Sequence, residues 1–150
     1  PPAVGAGQQL LLTATNDIVI QGDLTCENFA AATNVLGIYS GNGSVRIGSA
    51  APTNLNLDAF VFANGANGAF GVDGYDAGAP RGTLHLRGGV VEQFYGPFSI
   101  IDGTGNPTSG YFFDGHYDRR GIIPPLYPKT PPGAFHVEQP TARTIAWKEL

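Results

Sequence analysis

The chain has 150 residues, of which 42% are apolar and only 13% charged, with 22 glycines and 12 prolines. That fits one domain with a core of its own and excludes a disordered chain, which combines low hydrophobicity with high charge. The formal net charge is −4, and residues 1–112 carry eight acids against three bases, which excludes the basic groove that wholesale nucleic-acid binding needs.

Residues 1–9 read as a linker or as the end of a preceding coil. Short apolar runs then recur, each broken by an Asn, Asp or Gly step. Leu10-Leu11-Leu12 is followed by Asn16-Asp17 and Ile18-Val19-Ile20. Val35-Leu36-Gly37-Ile38-Tyr39 leads through Gly41-Asn42-Gly43 into Val45-Arg46-Ile47. Leu55-Asn56-Leu57, Phe60-Val61-Phe62, Phe70-Gly71-Val72, Thr83-Leu84-His85-Leu86, Val90-Val91 and Phe98-Ser99-Ile100-Ile101 complete the series. No window shows the 3.6-residue period of a helix. The expected fold is all-β: a β-solenoid, parallel β-helix-like, of about four coils over residues 10–105. The coils divide as 10–34, 35–54, 55–82 and 83–105, within the ~20–50-residue period of solenoid repeats. Alternation points Ile18 and Ile20, Leu36 and Ile38, Val45 and Ile47, Leu55 and Leu57, and Leu84 and Leu86 inward. Asn42-Gly43, Asn64-Gly65 and Asn67-Gly68 supply the corners. The rival is a β-sandwich with hairpins at the same Asn-Gly steps.

From residue 106 the character changes. Prolines 124, 125, 128, 131, 132 and 140 arrive together with Tyr111, Phe112, Phe113, Tyr117, Tyr127, Phe135 and Trp147. Proline cannot donate to a central strand. Residues 106–150 are therefore expected to be an extended capping segment packed on the solenoid, whose open end exposes unpaired strand groups and a cut core.

The candidates for chemistry are few. Asp114-Gly115-His116-Tyr117-Asp118-Arg119-Arg120 is the densest polar cluster. As an enzyme site it would use Asp114, Asp118 and Arg119 on an acidic polysaccharide. As structure it is an ion-pair cluster of Asp114, Asp118, Arg119 and Arg120 that fastens the C-terminal segment. The second reading is preferred, because acid–base chemistry on sugars asks for a second carboxylate across a cleft, and no catalytic residue is assigned. His85, His116 and His136 lie far apart and no zinc spacing occurs. Asp73-Gly74-Tyr75-Asp76 lacks the repeated acids of a calcium loop, so no metal is expected. Asp102-Gly103-Thr104-Gly105-Asn106 reads as a turn. With no phosphate loop, nucleophile elbow or dinucleotide fingerprint, no cofactor is expected. Arg46, Arg81 and Arg87 are the candidate DNA- or ligand-binding cations, and a DNA role requires them to share one face. Tyr39 and Tyr75 are candidate stacking residues for sugars or unpaired bases. The alternative for such aromatics is packing in the core or between coils.

Cys26 stands alone, so no internal disulfide forms, and it reads as a small buried hydrophobe. The chain opens Pro-Pro and contains no methionine, which is expected of a processed product or fragment. No apolar run approaches the ~20 residues of a membrane span, so this fragment itself is expected to make no membrane contact.

The order of landmarks carries a resemblance. Asn16-Asp17-Ile18-Val19-Ile20-Gln21-Gly22-Asp23-Leu24-Thr25 precedes Asn34-Val35-Leu36-Gly37-Ile38-Tyr39. Asn56-Leu57-Asp58-Ala59, Ala69-Phe70-Gly71-Val72-Asp73-Gly74-Tyr75 and Leu86-Arg87-Gly88-Gly89 follow. The close is Tyr117-Asp118-Arg119-Arg120, Pro124-Pro125-Leu126-Tyr127-Pro128 and Trp147-Lys148-Glu149. Over residues 10–150 this resembles the β-solenoid domain of bacterial type IV pilin-like proteins, including a competence-associated minor pilin type thought to receive DNA at a pilus tip. The resemblance implies an extracellular or cell-surface location and other pilins or envelope proteins as partners. It also implies a role in adhesion, pilus-tip function or DNA capture in natural competence, with DNA or surface glycans as ligands. The pilin helix is missing, the net charge weighs against DNA, and no residue-level DNA site carries over. Two alternatives stand beside it: a polysaccharide-binding or polysaccharide-cleaving β-helix protein, and a self-assembling filament module.

Overall fold

The computed structural model describes residues 3–27 and 34–117. Among the described residues eleven strands follow in chain order: β1 Ala3–Val4, β2 Gln9–Ala14, β3 Ile18–Ile20, β4 Thr25–Cys26, β5 Val35–Ser40, β6 Val45–Ile47, β7 Leu55–Ala63, β8 Phe70–Val72, β9 Pro80–Glu92, β10 Ser99–Ile101 and β11 Pro107–Tyr117. Among the described residues there is no helix, and none is long and apolar enough to cross a membrane. The protein is an all-β solenoid of about four turns.

Register defines three walls. The first stacks β2 on β5, β5 on residues 60–63 of β7, and these on residues 89–92 of β9. The second stacks β3, β6 and β8, and Val72 then donates its N–H to the Pro97 carbonyl of the next turn (2.9 Å). The third stacks β1 on β4, joins Leu24 to Leu57, and continues from residues 55–58 to 84–87 and on to β11. All these pairings are parallel, which rules out the sandwich; the β10–β11 hairpin is the one antiparallel pair among the described strands.

The ladders follow from alternation. Parallel in-register stacking places like positions ~4.8 Å apart, so an inward aliphatic side chain meets an inward aliphatic side chain on the next turn. Leu12, Ile38, Val61 and Val90 form one such column. Ile20, Ile47 and Val72 form another, and Leu55, Leu84 and Phe113 a third. Ile38, Ile47, Leu55, Val61 and Leu84 are fully buried. On the first wall no described strand stacks on the open side of β2, and its inward Leu10 and Leu12 are 44% and 38% exposed.

The corners differ in kind. Between the first and second walls the chain turns at the expected Asn-Gly steps. There Asn64 N–H bonds the Ser40 carbonyl and Gly65 N–H the Gly43 carbonyl, so corner stacks on corner. Between the third and first walls β7 and β9 bend without a loop, at Ala59 and Gly88. These two residues are register partners, and a Cβ on Gly88 would overlap the Ala59 carbonyl oxygen. The first-wall positions equivalent to residues 37–40 are therefore 60–63, which displaces the expected turn boundaries at 55 and 83 to the start of third-wall strands. The sheet also runs past the expected boundary at residue 105. The 102–106 turn closes the β10–β11 hairpin, and β11 adds the last described rung of the third wall. The remainder of the expected cap, 118–150, lies outside the described residues.

Candidate functional site

The three arginines singled out from sequence lie in three different settings, and each one joins neighbouring turns. Arg46, on β6, reaches Asp17 of the turn before (3.2 Å) and Asp73 of the turn after (2.7 Å). Arg87, on β9, makes a bidentate pair with Asp58, its register partner on β7, at 2.6 and 2.7 Å. Arg81 donates to the Gly48 and Ala51 carbonyls (3.0 and 2.6 Å) and lies 4.4 Å from the centre of the Tyr111 ring. Tyr111 is fully buried; burial raises its pKa and the Arg81 guanidinium opposes the rise. A shared basic face, the requirement for DNA capture, does not form from these three: Arg46 is on the second wall, Arg87 on the third, and Arg81 is bonded to main chain.

The carboxylates are committed in the same way. Asp58 also accepts Cys26 N–H (2.9 Å), and buried Cys26 points its thiol at the Asp58 carbonyl (3.6 Å). Asp17 accepts Ser44 N–H (2.8 Å), Asp23 accepts Asn56 N–H (2.8 Å) and Glu92 accepts Phe70 N–H (2.7 Å). Asp102 holds its own turn, accepting from Thr104 Oγ1, Thr104 N and Asn106 N, with the Thr104 hydroxyl the leading cause of its lowered pKa. Among the described residues, Glu27 and Asp76 are the two acids whose carboxylates have no such partner.

Asp114 departs from its expected setting. Its partners are imidazoles: His85 Nδ1 at 2.9 Å and His116 Nε2 at 3.2 Å, one on each carboxylate oxygen. With the carboxylate ionised, His85 Nδ1 is the donor, and that bond is the leading cause of the lowered Asp114 pKa. The expected partners Asp118, Arg119 and Arg120 lie outside the described residues. One Asp114 oxygen thus fastens β11 to β9 through His85, and the other meets His116 of its own strand. The register places Asn56, His85 and Asp114 in one column and Asp58, Arg87 and His116 in the next. Opposite partners adjoin in each column, His85 beside Asp114 in the first and Arg87 beside Asp58 in the second.

The two tyrosines separate. Tyr39 lies on the first wall, where Asn64 Nδ2 donates to its hydroxyl (3.2 Å) and the Phe62 ring is 6.3 Å away. Tyr75 lies beside Arg46. Between them a recess of about 270 Å³ opens along β8, lined by Ser44, Arg46, Asp73, Tyr75, Asp76 and the glycine-rich backbone at 71, 74 and 96. Arg46 stacks on Gly71, and the place a Gly71 Cβ would take is closed by the Pro97 and Gly96 main chain at 3.1 and 3.2 Å. Gly96 packs over it so closely that a Cβ there would overlap the Phe70 carbonyl. Arg46 Nε is buried without a partner, so the two aspartates do not saturate this guanidinium. A second hollow, about 440 Å³, is the open apolar end of the core at Leu12, Ile18, Ile20 and Leu24. Among the described residues no group of three His, Cys, Asp or Glu side chains is placed to hold a metal ion. The cation between Asp17 and Asp73 is Arg46 itself.

One signal in the sequence marks the partners that motif reading missed. Asp58 to Arg87 and His85 to Asp114 are both separated by 29 residues, the step between the last two pairs of third-wall rungs. Comparison with family models, with curated proteins and with solved structures returns no match.

Proposed function

We propose that the chain is a non-enzymatic, extracellular β-solenoid module of a pilus-linked or other envelope protein, acting as a rigid arm in adhesion or at a pilus tip. The observation that carries this reading is the commitment of Arg46, Arg81 and Arg87 to neighbouring turns. Continuous ladders bound turn to turn make a stiff body in which each repeat contacts its neighbours. Among the described residues the outer walls are left neutral to acidic. DNA capture draws its affinity from counterions released by free basic groups, and this arrangement favours adhesion over that role. The landmark order that resembles pilin-like β-solenoid domains supports the envelope setting, with other pilins or envelope proteins as partners.

Two measurements test the reading. Antibody raised against the chain should label intact producing cells; label seen only after permeabilisation overturns the location. Purified chain titrated with duplex DNA should show no binding at the lowest salt. Saturable binding that weakens with salt would move the function to DNA capture.

A further inference from the structure

We infer that the recess beside β8 is a binding subsite for one ring of a neutral saccharide. The inference rests on the surface reading above, which is what brings the recess into contact with glycans. Its volume of about 270 Å³ lies just under the ~300–1,000 Å³ of drug-sized sites, the scale of a single sugar ring with its substituents.

The chemistry of the lining selects the class. A sugar ring presents closely spaced hydroxyls, each a donor and an acceptor, and an apolar face of C–H groups. The recess offers a match for each. Asp76 is a carboxylate with no partner among the described residues, so it accepts hydroxyl protons without breaking a bond of the fold. Asp73 has one oxygen on Arg46 and a second oxygen available. Tyr75 lines the recess and packs against the core, so an aromatic side chain is already held at the site where the apolar face of a sugar would meet it. The floor is backbone at Gly71 and Gly96: a Cβ on Gly96 would overlap the Phe70 carbonyl, and one on Gly71 would crowd the Pro97 carbonyl. Such a floor is fixed before the ligand arrives, and preorganisation of this kind strengthens binding.

Charge narrows the class further. The one guanidinium, Arg46, is paired with Asp17 and Asp73, and Asp76 adds a further negative charge. The recess is therefore acidic in sum and disfavours uronates, sialylated sugars and phosphates. Neutral hexoses and N-acetylhexosamines meet no such penalty.

The test is a titration of the isotopically labelled whole chain, followed by backbone amide shifts, with cellobiose, lactose and N,N′-diacetylchitobiose, and with digalacturonate as the anionic control. At least one neutral sugar should shift the amides of Gly71, Gly74, Asp76 and Gly96 saturably, and digalacturonate should not. Asp76→Asn removes a charged acceptor at an exposed site, so it should weaken binding about 10-fold with an unchanged melting temperature. The inference is overturned if no neutral sugar gives saturable shifts at about 10 mM, if the shifts map to another wall, if digalacturonate binds equally well, or if Asp76→Asn leaves the affinity unchanged. Surface labelling is indifferent to all of these outcomes, so the subsite and the surface reading fail separately.

Discussion

Two arginine sites on this solenoid use the same chemistry in opposite surroundings. On the third wall, Arg87 forks onto Asp58, whose side chain is 1% exposed and is also bonded to Cys26 N–H. On the second wall, Arg46 spans Asp17 and Asp73 with every member of the trio at least 32% exposed. Both bind turn to turn. The buried carboxylate has no water to fall back on if its partner is lost, whereas the exposed trio can rehydrate. The first site therefore holds the fold together, and the second can accept a ligand without endangering it.

Truncating the buried pair should separate the two sites most clearly. Arg87→Ala leaves the Asp58 carboxylate buried with little compensation and should lower stability by about 3 kcal/mol in chemical denaturation. That is the low end for a buried pair, because Arg87 itself is half exposed. Arg46→Gln should change stability by less than about 1 kcal/mol, and its small effect should fade in high salt. A loss at Arg46 equal to that at Arg87 would erase the distinction.

The smallest expected effect is at Asp114, the exposed counterpart on the same wall as Asp58. The hydrogen bond from His85 holds its carboxyl below the ordinary aspartate value of 3.8. A carboxyl depressed in the folded state contributes stability above its unfolded value and loses it as pH falls through the folded value. Carboxyl carbon titration should place the Asp114 midpoint below 3.8, and His85→Ala should raise it. A midpoint unmoved by that substitution would mean that the contact is not formed in solution.

Much of the fold is legible in the sequence because alternation is a local property. Leu36 with Ile38, Val45 with Ile47 and Leu84 with Leu86 point inward as their spacing predicts, and the Asn-Gly steps become corners. Two features resist local reading. The bend at Ala59 carries no turn residue, because β7 passes from wall to wall as one strand, so the turn boundaries shift by several residues. The Pro- and aromatic-rich composition beyond residue 106 hides β11, whose register with β9 follows the 29-residue repeat across the hairpin. The site is less legible. Nothing local tells that Arg46 faces Gly71, that Tyr75 comes to lie beside Arg46, or that Arg81 ends on main-chain carbonyls. Those placements are set by register between turns, and only a repeat length read to the residue discloses them.

The arginines fasten turns together. A double-mutant cycle on Asp58 and Arg87, measured by equilibrium denaturation of the whole chain, tests this most directly. The coupling between the two should be about 2 kcal/mol or more; a value under about 0.5 kcal/mol would mean that the pair does not bind turn to turn.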